Sequence, residues 1–151
     1  MALSPQKFRE IVFQLLYSHD FLLGEEEDMI DFMMEQLSVT KKSMKEAQEK
    51  HQKISSHILE IDEYIRRFST SYNLERIGRV EKNILRLGVY ELCYQEIVPA
   101  KVAIAEAIRL TRKFSTPESG SFINAVLDSI LQDRLSPSTE DLSLAATTSS
   151  L

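Results

Sequence analysis

A single cysteine, Cys93, leaves no disulfide to form within the chain and excludes a stapled secreted scaffold. It lies in the apolar run Val89-Tyr90-Glu91-Leu92-Cys93-Tyr94, where a thiol behaves as a small buried hydrophobe. The three histidines, His19, His51 and His57, stand at no i, i+3 or i+4 spacing from one another or from Cys93, so neither a metal nor any other cofactor is expected. No Gly-rich phosphate loop, nucleophile elbow or deaminase pattern is present, and no nucleophile is paired with a base; an enzyme is not expected. No apolar stretch approaches the roughly 20 residues of a membrane span, and the first ten residues already carry Lys7, Arg9 and Glu10, which points to a cytoplasmic protein. Four glycines and four prolines are few for 151 residues, and strand-like alternation nowhere persists, so the expected fold class is all-α.

With 43% hydrophobic residues the chain can build one sizeable core as a single domain. Its net charge of -5 repels nucleic acid in bulk, so any RNA contact must come from locally gathered cations. Glu25, Glu26, Glu27, Asp28, Asp31 and Glu35 form an acidic block, explained by the positive end of a helix dipole. The segment from Arg76 to Arg134 reverses the balance, with nine Lys or Arg against seven Asp or Glu.

Ser4 followed by Pro5 reads as an N-cap and first turn, and Phe8, Ile11, Val12, Leu15 and Leu16 recur at helical spacing to an end near Gly24. A second helix is expected over Glu25 to Leu37. One long helix is expected from Lys42 to Phe68, solvated in its first half and amphipathic through Ile54, Ile58, Ile61, Tyr64, Ile65 and Phe68. Asn73 is placed to cap a short turn over Leu74 to Ile77. The following helix, Val80 to Tyr94, is apolar nearly all round in its second half and is expected at the centre. After Pro99, residues Ala103, Ile104, Ala107, Ile108, Leu110 and Phe114 share one face of a helix, with Lys101, Arg109, Arg112 and Lys113 opposite. A final helix starting near Ser119 or Gly120 turns Phe122, Ile123, Val126, Leu127 and Ile130 inward and Asn124, Asp128 and Gln132 outward. The Ser-, Thr- and Ala-rich segment from Pro137 to Leu151 has no period and is expected to be disordered.

The cationic face of Lys101, Arg109, Arg112 and Lys113, with Glu106 its one acid, is either a solubilising surface or a phosphate-binding one, to which Lys7 and Arg9 can add. Phe122, beside Glu118, Ser119, Gly120 and Ser121, is either a core ring or a platform on which a base stacks. Tyr17 has the same two readings, core residue or interface aromatic.

Several runs in order carry a resemblance: Arg9-Glu10 with Gln14-Leu15-Leu16-Tyr17, Arg79-Val80-Glu81-Lys82-Asn83-Ile84-Leu85-Arg86, Tyr90-Glu91-Leu92, Val98-Pro99 with Lys101-Val102-Ala103-Ile104, Glu106-Ala107-Ile108, and Phe122-Ile123-Asn124-Ala125-Val126-Leu127-Asp128. Their order and spacing resemble the NusB family over about Ser4 to Gln132, most strongly after Leu74. The resemblance implies a compact bundle of about six to seven helices in two subdomains, here about 4–72 and 73–134 of a domain spanning 1–134, with 135–151 as a tail. It implies a transcription antitermination factor that pairs with NusE, the small-subunit ribosomal protein S-ten. Together they bind boxA-type single-stranded RNA and let RNA polymerase read through terminators, notably in ribosomal RNA operons. Carried onto this sequence, the RNA side comprises Lys7, Arg9, Glu118 and Phe122, and the NusE side Tyr17 and Glu81. The chain departs from the family pattern in a thinner N-terminal cationic cluster, in Ile104-Ala105-Glu106 for I-N-E, and in Ile123-Asn124-Ala125 for V-N-G. Lys101, Arg109, Arg112 and Lys113 are expected to supplement that cluster.

The same domain also occurs ahead of an RNA methyltransferase, but no cofactor-binding α/β domain follows Leu131, so catalysis is not expected. When free, the protein is expected as a monomer or homodimer. The competing expectation, from a different class, is a helical protein-interaction scaffold without RNA binding.

Overall fold

The computed structural model describes residues 3–21, 34–36, 38–69, 73–95 and 97–135. These form α-helices and one 3₁₀ turn and contain no strand: α1 Pro5–Phe21, α2 Lys41–Ser56, α3 Ile58–Phe68, the 3₁₀ turn Leu74–Arg76, α4 Arg79–Tyr94, α5 Ala100–Phe114 and α6 Pro117–Leu135. The all-α expectation holds. Residues 34–36 are helical, while the rest of the helix expected over Glu25 to Leu37 and the expected tail beyond Leu135 lie outside the described residues. No helix among the described residues is long and apolar enough to cross a membrane.

Ser4 caps α1 as expected, its hydroxyl accepting from the Lys7 amide at 3.2 Å and its carbonyl from the Phe8 amide at 3.0 Å. The single long helix expected from Lys42 to Phe68 is instead two. His57, at φ -109° and ψ 12°, ends α2 and starts α3, its amide donating to Ile54 O. Just before it, Ser56 Oγ donates to Lys53 O at 2.7 Å, a side-chain bond that competes with the helical ladder. The His57 ring stacks on Tyr94 at 4.3 Å between centroids. The first half of α2 is also less solvated than its composition suggests, since Met44 and Ala47 are buried against the core. Thr40 caps α2, its side chain accepting from the Ser43 amide.

The 3₁₀ turn forms without the expected help of the Asn73 side chain, which makes no capping bond; the Asn73 carbonyl accepts from the Arg76 amide instead. The last helix begins two residues earlier than expected, because Pro117 occupies its first turn, where a missing N–H costs nothing.

Helix α4 is the central element, packed against α1, α3, α5 and α6. Ile84, Leu85, Leu87 and Val89 are essentially sealed from solvent, each contributing roughly 1.5–3 kcal/mol by burial. At Gly88 a Cβ would sit 2.9 Å from Leu127 Cδ1, so a side chain there would have to push the buried Leu127 methyls aside. On α6, Ile123, Val126, Leu127 and Ile130 face inward and Asn124, Asp128 and Gln132 outward, as the spacing predicts.

Candidate nucleic-acid interface

The nine lysines and arginines of α1, α4 and α5 divide into two ion-pair networks and an exposed remainder, and the networks decide which side chains can meet a ligand. Arg9 does not project outward. Its exposure is 9%, its Nε donates to Glu91 at 2.9 and 3.1 Å, and its Nη1 donates to Glu106 Oε1 at 2.9 Å. Lys50 Nζ lies 3.6 Å from the same Glu91. Burial pulls the Lys50 pKa down, with Glu91 opposing the shift. In this arrangement the Arg9 guanidinium neutralises two buried carboxylates and ties α1 to α4 and α5, instead of facing solvent as a phosphate contact would.

Arg109 is held next to it. It bonds Glu106 through Nε, Glu10 Oε1 through Nη1 at 2.7 Å, and the Gln6 carbonyl through Nη2 at 3.2 Å. Lys113 Nζ reaches the same Glu10 oxygen at 2.9 Å. Burial alone would raise the Glu10 pKa, but Lys113 and Arg109 outweigh it and hold the carboxyl below its ordinary range. Lys7, Lys101 and Arg112 are exposed. Lys101 and Arg112, eleven residues apart, fall on one stripe of α5, since 1,100° is three turns plus 20°.

The second network sits at the far end of α1. Asp20 receives Lys82 at 3.0 Å, Arg79 at 3.6 Å and Arg86 at 3.8 Å, and Arg86 also forks onto Asp62 with two bonds of 2.9 Å. Asn83, fully buried, donates to Asp20 at 3.4 Å and to Arg79 O at 2.8 Å. The polar start of α4 is thus largely its seam with α1 and α3.

Glu81 meets Glu118 and Phe122, one turn apart on α6, in a cleft of about 420 Å³ whose rim also includes Arg76, Gly78 and Ser119. Glu81 Oε1 accepts from the hydroxyls of Ser115 and Ser119, the latter at 3.1 Å, so it organises the turn between α5 and α6. Phe122 is half-buried with its ring packed against the core, and Glu118 is exposed. Packing and presentation are therefore compatible at Phe122. Two carboxylates at this cleft disfavour a phosphate but suit a base, whose face can stack on the ring and whose amino edge can donate to Glu118. Tyr17 is half-buried, 6.2 Å from Phe13 between ring centroids.

Sequence reasoning missed Glu10, Glu91 and Glu106 as partners of the cations. Glu106, expected as the one acid of the cationic face, lies with Ala103, Ala107 and Leu110 on the buried one.

Comparison with known proteins gives a consistent set of likenesses. Residues 6–132 match the NusB family. The chain is 37% identical over 134 residues to the transcription antitermination protein NusB of Methylacidiphilum infernorum, covering 87% of this chain and 92% of that protein. It is 38% identical over 125 residues to the NusB of a Nitratiruptor species, covering 83% and 89%. Its fold is similar to T. maritima NusB, with TM-score 0.73, 31% identity, and coverage of 87% and 93%. It is also similar to a chain in the crystal structure of antitermination factors NusB and NusE in complex with dsRNA, with TM-score 0.73, 26% identity, and coverage of 85% and 96%.

Proposed function

The chain belongs to the NusB family, and from that premise we propose that it is a transcription antitermination factor acting with NusE on boxA-type RNA. In this reading the pair helps RNA polymerase pass terminators, notably in ribosomal RNA operons. The protein is a cytoplasmic, non-catalytic adaptor: it holds RNA and a protein partner together and breaks no bond. The observation that carries the reading is the likeness, over most of both chains, to a component of a NusB, NusE and dsRNA complex.

Lys7, Lys101 and Arg112 supply phosphate contacts, and Glu118 and Phe122 meet bases at the cleft beside Gly78. Tyr17 and Glu81 face NusE, with Glu81 acting partly through the Ser115 and Ser119 turn it organises. Arg9 contributes indirectly, by fixing α1 against α5. The two-part organisation, with residues 4–72 and 73–134 as subdomains, belongs to the same proposal.

One observation favours the competing scaffold reading: Arg9, Arg109 and Lys113 are already paired with carboxylates, which thins the cationic surface. Salt titration of RNA binding separates the two. Phosphate contacts make log affinity fall linearly with log salt, by about 0.7 per phosphate neutralised on a single strand. Binding by the NusE complex with a slope of that kind supports the adaptor, and absence of RNA binding at low salt leaves only the scaffold.

A further inference from the structure

The seam between α1 and α5 combines features that a purely structural ion pair does not need. One oxygen of Glu10 is shared by Arg109 at 2.7 Å and Lys113 at 2.9 Å. That arrangement, a guanidinium and an ammonium converging on one anionic oxygen, is also how a non-bridging phosphate oxygen is held. The carboxylate lies deeper than its partners: side-chain exposure is 14% for Glu10, 28% for Arg109 and 54% for Lys113. The cations are therefore open to an anion arriving from solvent. Further positive charge flanks the seam, with Lys7 one turn before Glu10 on α1 and Arg112 beside Lys113, both exposed. Arg109 keeps its bonds to Glu106 and to the Gln6 carbonyl whether or not Glu10 stays, so it remains positioned after an exchange.

We propose that the α1–α5 seam is a phosphodiester-binding site whose place the Glu10 carboxylate holds in the RNA-free protein, so that an RNA phosphate displaces Glu10 to reach Arg109 and Lys113. This rests on the RNA-binding reading above and adds regulation to it. Glu10 lowers affinity for any phosphate that does not arrive with enough neighbouring contacts to make the exchange favourable, and so raises the threshold against non-specific RNA. No bond is made or broken; one anion replaces another on the same two cations.

A partly exposed ion pair of this kind favours the closed form roughly five-fold, and apparent affinity falls by the fraction that is closed. Glu10→Gln keeps the shape and removes the charge. With NusE and a labelled boxA-type single-stranded RNA, this variant should bind about five-fold tighter than the unaltered chain in low-salt buffer. The gain should shrink as salt rises, because salt screens the ion pair that competes with the phosphate while the number of phosphates neutralised in the bound complex stays the same. Adding Lys113→Gln should abolish the gain. Failure of the unaltered complex to bind the RNA overturns the functional reading and this inference together. Binding by the unaltered complex, with Glu10→Gln no tighter and melting normally, overturns the inference alone. Where Glu10→Gln lowers the melting temperature, Glu10→Asp serves instead, since it withdraws the carboxylate by one methylene; affinity no higher than that of the unaltered chain is then the overturning result.

Discussion

Replacing Arg9 with alanine separates a buried structural arginine from a surface phosphate ligand. The substitution leaves Glu91, 2% exposed, without its two guanidinium bonds, and Glu106, 8% exposed, without one. Removing one partner of a buried pair costs about 3–5 kcal/mol, because the remaining charge stays desolvated. Here both acids keep a second cation, Lys50 at 3.6 Å from Glu91 and Arg109 on Glu106, so the lower end, about 3 kcal/mol, applies. For a chain of this size each kcal/mol moves the melting temperature by roughly 2–4 °C, which gives a fall of about 10 °C. Thermal melting followed by circular dichroism reads it. Glu91→Ala should then cost less in the Arg9→Ala background than alone, with a coupling of about 1–3 kcal/mol. In the folded range, the salt slope of RNA binding should match that of the unaltered chain. An unchanged melting temperature together with a slope flatter by about 0.7 would refute the structural assignment of Arg9 and restore it as a phosphate contact.

Glu81→Lys should weaken NusE binding by tenfold or more in calorimetry, and, since the Ser115 and Ser119 hydroxyls lose their acceptor, should also lower stability by about 1–2 kcal/mol; unchanged NusE affinity removes Glu81 from the interface. Phe122→Ala should lose roughly 1–3 kcal/mol of RNA affinity with its salt slope intact, and about 2 kcal/mol of stability because the ring is only half-buried; normal RNA affinity in a folded variant refutes stacking. Acid should destabilise the protein through Glu10 and Asp20. Burial opposes their charged forms, but Lys113 and Arg109 on the first, and Lys82 and Arg86 on the second, hold both pKa values below ordinary ones. A carboxyl depressed in the folded state contributes stability that is present above its unfolded pKa and lost as pH falls through the folded one. Melting should therefore be insensitive to these groups above about pH 5 and decline below about pH 4, and an equal melting temperature at pH 5 and pH 3 contradicts their pairing.

The all-α class and the order of the helices were legible because apolar residues recur at helical spacing from Phe8 to Leu16, from Ile58 to Phe68 and from Ala103 to Phe114. The break at His57 was not, since a hydroxyl turning back on Lys53 O and a ring stacked on Tyr94 leave no trace in that periodicity. Charge was the harder property to read. Arg9 shares a face of α1 with Val12 and Leu16, and Glu91 and Glu106 sit among buried residues of α4 and α5. An acid inside an apolar face calls for a buried cation, so a wheel drawn for acids as well as for hydrophobes would have directed attention to Arg9. The meeting of Glu81 with Glu118 and Phe122 depends on how α4 and α6 pack, which no local pattern encodes.

The most direct test of the central claim is a mobility shift of boxA-type RNA by the full chain with and without NusE. A complex that is markedly strengthened by NusE, and displaced by unlabelled boxA-type RNA but not by a scrambled sequence of the same composition, is the expected result. No shift with NusE present, or equal displacement by the scrambled RNA, would contradict it.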